Sequence, residues 1–208
     1  MINVFITYDD NDSELGDYFE ISFKDIKNAL SQIDNLEVKS IRGLDCTENN
    51  VIEMISSFED SPFVFVGLSH GNDSQLITEN DVYVDMNNLS HFNKSLFYST
   101  ACNSAVKLGK ELIENRCYSY VGFNQVTYAT HDEFYNIYTK CENYCLKDFL
   151  SSNNTIEESF NKMLAYFDEQ IHLLNDESDE ILVLMELTDN RDSFVLLGNK
   201  ELKMTDFQ

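Results

Sequence analysis

Residues 63–71 read Phe-Val-Phe-Val-Gly-Leu-Ser-His-Gly, and residues 95–105 read Ser-Leu-Phe-Tyr-Ser-Thr-Ala-Cys-Asn-Ser-Ala. Each stretch is a short apolar run, rich in β-branched and aromatic residues, that gives way to small and polar residues. This pattern predicts a strand buried on both faces. If the two strands are parallel neighbours, His70 and Cys102 both emerge at the carboxyl edge of one sheet, where open α/β sheets bind their ligands.

The chain before this stretch alternates strand and helix patterns. Residues 3–7 and 38–41 are apolar enough for short strands. Between them, residues 15–33 carry apolar side chains at helical spacing, and Thr47 is placed to cap a second helix over residues 48–58. Two strand–helix units followed by the histidine strand predict an α/β fold with a parallel sheet.

The chain after the cysteine continues this pattern. A helix is predicted over residues 104–115 and a strand over residues 118–123. Two long amphipathic helices and two closing strands complete the chain; we place them at residues 132–150, 155–174, 180–187 and 193–198. No repeat or linker is visible, so residues 1–208 are predicted to form a single domain.

Charge restricts the kinds of partner that the protein can bind. The chain has 208 residues and a formal net charge of −23, with 14 Lys and Arg against 37 Asp and Glu. A phosphate-binding groove needs clustered basic side chains, so direct nucleic-acid binding is not expected. A strongly negative field instead favours a basic peptide substrate or a basic partner surface.

The cellular setting is predicted from what the sequence lacks. It shows no basic amino-terminal region followed by a long apolar segment, and no run long enough to cross a membrane. The cysteines are odd in number and fall within predicted strands and helices: Cys46, Cys102, Cys117, Cys141 and Cys145. Reduced thiols in a cytoplasmic protein are therefore expected, with no membrane partner.

The pair of His70 and Cys102 suits nucleophilic catalysis. An ordinary thiol is mostly protonated at neutral pH, and a neighbouring imidazole accepts the proton as the sulfur attacks. The backbone amides of Gly71 and Cys102 are the predicted oxyanion hole. Asn72 and Ser104 are candidates for supporting groups around this pair.

The order of these motifs resembles the caspase-like cysteine proteases, the clan of caspases, gingipains and separase. The likeness lies in His70-Gly71 after one strand, in the Ala-Cys-Asn-Ser-Ala of residues 101–105 after the next, and in a hairpin-like insert over residues 75–84. The bacterial CHAT domain is the closest subfamily. Thr100 stands where caspases have Gln in their Gln-Ala-Cys motif. His70 is also separated from Cys102 by fewer residues than the roughly 50 that separate the two in caspases, so caspase-type aspartate specificity is not expected.

The resemblance implies a three-layer sandwich with a mostly parallel central sheet flanked by helices. It implies a cysteine endopeptidase that needs no metal and no cofactor, cleaves a specific protein partner and is activated by an accessory or sensor protein. Many such bacterial proteases act in antiphage defence or regulated cell death, and that role is the expectation for this chain.

Other polar residues compete for places at the site. Residues 124–130 follow the fifth strand and are expected to form a wall of the cleft, and His131 and Asp132 are expected to line it. The four-residue spacing of Cys141 and Cys145 would allow metal binding, but no second pair of ligands follows at a zinc-like spacing, so packing is the better interpretation.

Two alternatives stay open at this point. The Val-Phe-Ile-Thr-Tyr of residues 4–8, followed by two aspartates, resembles the start of a TIR-like or flavodoxin-like signalling module. No Ser-x-x-Cys-x-x-Glu-like segment follows the third strand, and His70-Gly71 has no role in such a module. The other alternative is a caspase-like scaffold without catalytic activity, against which the presence of both His70 and Cys102 argues.

Overall fold

A six-stranded sheet lies at the centre of the protein. The structure is a computed structural model that describes residues 1–174 and 178–207. Its strands are β1 (Ile2–Tyr8), β2 (Leu36–Arg42), β3 (Phe63–Leu68), β4 (His70–Gly71), β5 (Leu76–Ile77), β6 (Val82–Val84), β7 (Ser95–Ser99), β8 (Ser119–Phe123) and β9 (Phe194–Gly198). The central sheet has the order β2-β1-β3-β7-β8-β9, with every neighbouring pair parallel except the antiparallel pair of β8 and β9.

The insert between the histidine and cysteine strands forms a sheet of its own. Strands β4, β5 and β6 pair antiparallel in that order. The predicted hairpin-like insert is therefore present, and its first strand begins at His70 itself. Buried side chains at Leu76 and Tyr83 pack it against the main sheet.

Helices cover both faces of the central sheet. They are α1 (Gly16–Leu30), α2 (Glu48–Ser56), α3 (Leu108–Glu114), α4 (Tyr135–Glu142), α5 (Tyr144–Ser151), α6 (Ile156–Leu173) and α7 (Ser178–Ser193). Two of them begin at side-chain caps, because Thr47 accepts a hydrogen bond from the Asn50 amide and Thr155 forms a capping box with Glu158.

Alternation along the buried strands builds the two cores. On β3, Val64 and Val66 face the core formed with α1 and α4 to α7, whereas Phe63 and Phe65 face the core formed with α2, α3 and the small sheet. Successive side chains of a strand point to opposite faces, so a continuous apolar run fills both layers at once. The result is the predicted three-layer α/β sandwich with a mostly parallel sheet.

The strand predicted over residues 180–187 is wrong, because this segment belongs to helix α7. Val183, Leu187 and Asn190 are buried at helical spacing, whereas Ile181, Leu182 and Met185 are exposed. The exposed apolar side chains made the segment read as a continuous apolar run, which cannot distinguish a strand from a helix.

Two helix boundaries also differ from the prediction. The helix after the cysteine begins at Leu108 rather than at Ser104, because residues 102–107 form turns. The helix expected over residues 132–150 is a 3-10 turn followed by α4 and α5, which meet at the buried Asn143. Asn143 donates hydrogen bonds to the Ser22 carbonyl and the Asp25 carboxylate, so the break docks this segment on α1.

Within residues 1–174 and 178–207, no helix is both long and apolar enough to span a membrane.

Candidate active site

Strand register brings His70 and Cys102 to the same place. Strands β3 and β7 are parallel neighbours, and Gly67 pairs with Ser99 at their carboxyl ends. His70 and Cys102 therefore lie the same number of residues beyond this registered pair. Both side chains line one cleft of about 270 Å³ at the carboxyl edge of the sheet. This is the juxtaposition that the sequence predicted.

Two residues lie against the His70 ring: Asp12, which precedes α1, and Phe19, which lies within it. Its Nε2 lies 3.1 Å from Asp12 Oδ2, and its ring meets the Phe19 ring edge to face at 5.6 Å. The other oxygen of Asp12 accepts hydrogen bonds from the amides of Glu14 and Leu15 at 3.0 and 2.7 Å. Asp12 is thus held in place while its Oδ2 faces the imidazole.

Cys102 lies at a sharp turn directly after β7. The next residue, Asn103, has a φ of 58°, a left-handed conformation that Asn adopts more readily than most residues. The Cys102 sulfur accepts a hydrogen bond from the Thr127 amide at 3.3 Å and lies 3.3 Å from the Thr127 hydroxyl. The loop after β8 therefore contacts the sulfur directly.

Cys102 differs from the other cysteines in its exposure. It is partly exposed, whereas Cys46, Cys117, Cys141 and Cys145 are buried. Burial raises the pKa of the Cys46 thiol to about 12 and that of Cys117 to about 11, and it also raises the pKa values of Cys141 and Cys145. Cys102 lines the cleft together with His70, and its partial exposure makes its thiol accessible from the cleft.

The predicted oxyanion hole consists of the backbone amides of Gly71 and Cys102. No hydrogen bond within the described residues uses the Cys102 amide as a donor. In the β4–β5 ladder the Asn72 amide bonds to the Gln75 carbonyl, so alternation directs the Gly71 amide away from β5. A Cβ added at Gly71 would lie 2.7 Å from the Ala101 Cβ, which explains why the smallest residue stands here.

A third polar group in the cleft is Thr100. Its residue is 7% exposed, and its hydroxyl has no hydrogen-bond partner within the described residues. A buried hydroxyl without a partner is uncommon, and Thr100 is one of the residues that line the same cleft as Cys102.

The remaining predicted residues have mainly structural contacts. Asn72 closes the β4–β5 turn by accepting a hydrogen bond from the Ser74 amide. Ser104 is buried, donates to the Ala101 carbonyl at 2.6 Å and accepts from the Tyr120 hydroxyl. His131 and Asp132 lie at a 3-10 turn beyond the residues that line the cleft. The predicted wall from residues 124–130 is present, because Val126 to Ala129 line the cleft.

Behind the cleft lies a buried carboxyl group. Glu142 is 2% exposed and accepts a hydrogen bond from the hydroxyl of Tyr18, a residue of the cleft wall, at 2.6 Å. The Asn190 amide donates to its other oxygen at 3.4 Å. Burial raises the pKa of Glu142 to about 8, although the hydrogen bond from Tyr18 lowers it in part. A carboxyl group in this setting is largely neutral at pH 7.

Sequence reasoning missed Asp12, Thr127 and Glu142. Asp12 belongs to an acidic run at the end of the first strand, and the neighbouring position of β1 and β3 makes that run relevant to His70. Strand order cannot be read directly from the sequence, so the acidic run alone could not show that Asp12 lies beside His70. Nothing in the local sequence indicated that Thr127 would contact the sulfur or that Glu142 would be buried.

Metal ligands are not grouped in the described residues. In residues 1–174 and 178–207, no set of three or more His, Cys, Asp or Glu side chains is arranged to hold a metal ion. The groups that the cleft itself offers are a thiol and an imidazole with a carboxylate partner.

Comparison with known proteins identifies the fold. No protein-family model matches the chain, and no curated protein is similar to it in sequence. Among solved structures, the chain is similar to an inactive zymogen of a C11 protease from Parabacteroides distasonis, with a TM-score of 0.52 and 12% identity. The alignment covers 81% of this chain and 59% of that protein. At this identity the likeness shows the fold alone, and it confirms the predicted mixed α/β fold with a mostly parallel central sheet flanked by helices.

Proposed function

We propose that the protein is a cysteine endopeptidase with a His70–Cys102 dyad. The observation that carries the proposal is that both side chains line one cleft at the carboxyl edge of the sheet, with Asp12 3.1 Å from the imidazole. The caspase-like fold supports the same activity.

In the proposed reaction the Cys102 sulfur attacks the carbonyl carbon of the scissile peptide, and His70 takes the thiol proton. The amides of Gly71 and Cys102 hold the oxyanion of the tetrahedral intermediate. His70 then gives its proton to the leaving amine as the C–N bond breaks. Water, deprotonated by His70, hydrolyses the resulting thioester and restores the thiol.

The finer assignments also belong to this proposal. The motifs around His70 and Cys102 favour a CHAT-type protease within the caspase-like clan, built as a single peptidase domain. The net charge of −23 favours a basic substrate or partner. An accessory protein that activates the enzyme, a cytoplasmic location and a role in antiphage defence or regulated cell death complete the proposal by resemblance.

The test uses a peptide library of mixed sequence and a peptidyl electrophile that reacts with thiols. We expect cleavage of a subset of peptides, measured by mass spectrometry, and one covalent adduct at Cys102. The library should include basic, acidic and neutral residues on both sides of the scissile bond. An adduct at another cysteine, or NAD consumption without any peptide cleavage, would favour the TIR-like alternative or an inactive scaffold.

Asp12→Asn is expected to reduce kcat about 10-fold to 100-fold, because the imidazolium loses its carboxylate partner. The loss should be smaller than for a fully buried partner, since the His70 side chain is 42% exposed and water screens the interaction. Asn retains the oxygen that caps the turn before α1, so folding should be preserved.

Asp10→Asn is the matched control for this prediction. Asp10 pairs with Arg42 at 3.0 Å and does not face His70. It should keep the activity of the unaltered protein. Equal kcat values for the two variants would show that Asp12 does not assist His70.

A further inference from the structure

The loop of residues 124–130 forms the cleft wall that contacts the Cys102 sulfur, yet little packing holds it. It has no regular secondary structure, and Val126 and Tyr128 are 52% and 42% exposed. Exposed segments with few buried contacts open at low free energy. Specific hydrogen bonds must therefore determine where this loop lies.

The Asn103 amide holds the start of the loop through the Gln125 carbonyl at 3.0 Å, and helix α7 supplies the hydrogen bonds further along it. Asn190 is fully buried, and its side-chain amide binds both backbone groups of one loop residue: Oδ1 accepts from the Tyr128 amide at 2.9 Å, and Nδ2 donates to the Tyr128 carbonyl at 2.7 Å. One turn earlier, the Glu186 carboxylate accepts from the amide and hydroxyl of Thr130. Side chains of α7 therefore form hydrogen bonds with the loop at two residues, Tyr128 and Thr130.

We propose that Asn190 is a positioning residue that acts on Cys102 through Thr127. Because Asn190 holds the backbone of Tyr128, it holds the preceding Thr127 amide 3.3 Å from the sulfur. An N–H donor stabilises the thiolate more than the thiol, so the position of the loop determines how readily Cys102 reacts. The inference rests on the proposed function only for the role of Cys102 as nucleophile.

The test measures alkylation of Cys102 by iodoacetamide in the folded protein. The other cysteines are buried, so the reaction at neutral pH reports on Cys102. Asn190→Asp retains the acceptor for the Tyr128 amide but presents an oxygen to the Tyr128 carbonyl, and Asn190→Ala removes both hydrogen bonds. Both variants are expected to react about 10-fold more slowly, the factor of one hydrogen bond to a charged group.

Asp189→Asn is the matched control, because Asp189 is the exposed neighbour of Asn190 on the same helix. It should react at the rate of the unaltered protein. For a cleaved peptide, the Asn190 variants should lower kcat by a similar factor and change KM less than about twofold. Unchanged alkylation and kcat in folded Asn190 variants would overturn the inference.

Hydrogen exchange in the unaltered protein keeps the inference testable if the Asn190 variants do not fold. The Tyr128 amide should exchange at least about 10-fold more slowly than that of Val126, which is also exposed and donates no hydrogen bond within the described residues. Equal exchange of the two amides would overturn the inference.

The inference and the proposed function fail in different ways. Slower alkylation of the Asn190 variants, in a protein that cleaves no peptide, would retain the positioning role and remove the protease. Peptide cleavage at unchanged rates in those variants would retain the protease and remove the positioning role.

Discussion

Cys102→Ala is expected to reduce peptide cleavage about 10⁴-fold to 10⁶-fold, because the variant has no nucleophile to form the thioester. His70→Ala should cause a loss of similar size, since the thiol then lacks its proton acceptor. In the proposed mechanism the two residues act as a unit, so the double variant should cleave the peptide no more slowly than the less active of the two single variants. Initial rates on the best library peptide, measured for all four proteins, give the comparison.

Two variants control for the loss of a cysteine or a histidine as such. Cys46→Ala removes a buried thiol that packs with α2, and His91→Ala removes an exposed imidazole from the turn before β7. Both should retain activity. A Cys102→Ala protein that still cleaves the peptide would refute the dyad, and additive losses in the double variant would separate His70 from Cys102.

Glu142→Gln is expected to change how stability depends on pH. Burial raises the pKa of this carboxyl from 4.5 to about 8, so between these values the folded protein holds a proton that the unfolded chain releases. The free energy of unfolding therefore falls as pH rises through this window, by about 3 kcal/mol between about pH 5 and pH 8. Gln does not titrate, so the variant lacks this loss and should exceed the unaltered protein in stability near pH 8.

Urea unfolding at the two pH values tests this expectation, because the difference between proteins removes the effects of other titrating groups. Gln can still bond to both Tyr18 and Asn190, so its packing at the lower pH should be close to that of Glu142. Glu169→Gln is the control, since it makes the same substitution at an exposed position of α6. A Glu142→Gln protein with the same pH dependence as the control would show that Glu142 is ionised when folded.

Local pattern was sufficient for most of the fold. The apolar run of β3 predicted a strand because buried parallel strands need apolar side chains on both faces, and Thr47 predicted a helix start because its hydroxyl satisfies a free amide. The same reasoning failed at α7, where Ile181, Leu182 and Met185 are apolar but exposed. An apolar run therefore leads to a wrong prediction of secondary structure where some of its side chains are exposed to solvent.

The sequence by itself determined the α/β class and the placement of His70 and Cys102 along one cleft. Those features follow from strand pattern and from the rule that parallel strands share a carboxyl edge. Only the tertiary structure placed Asp12 beside His70, Thr127 against the sulfur and Asn190 behind the loop. These contacts join segments far apart along the chain, and their existence depends on strand order and on the docking of α7, which no local pattern encodes.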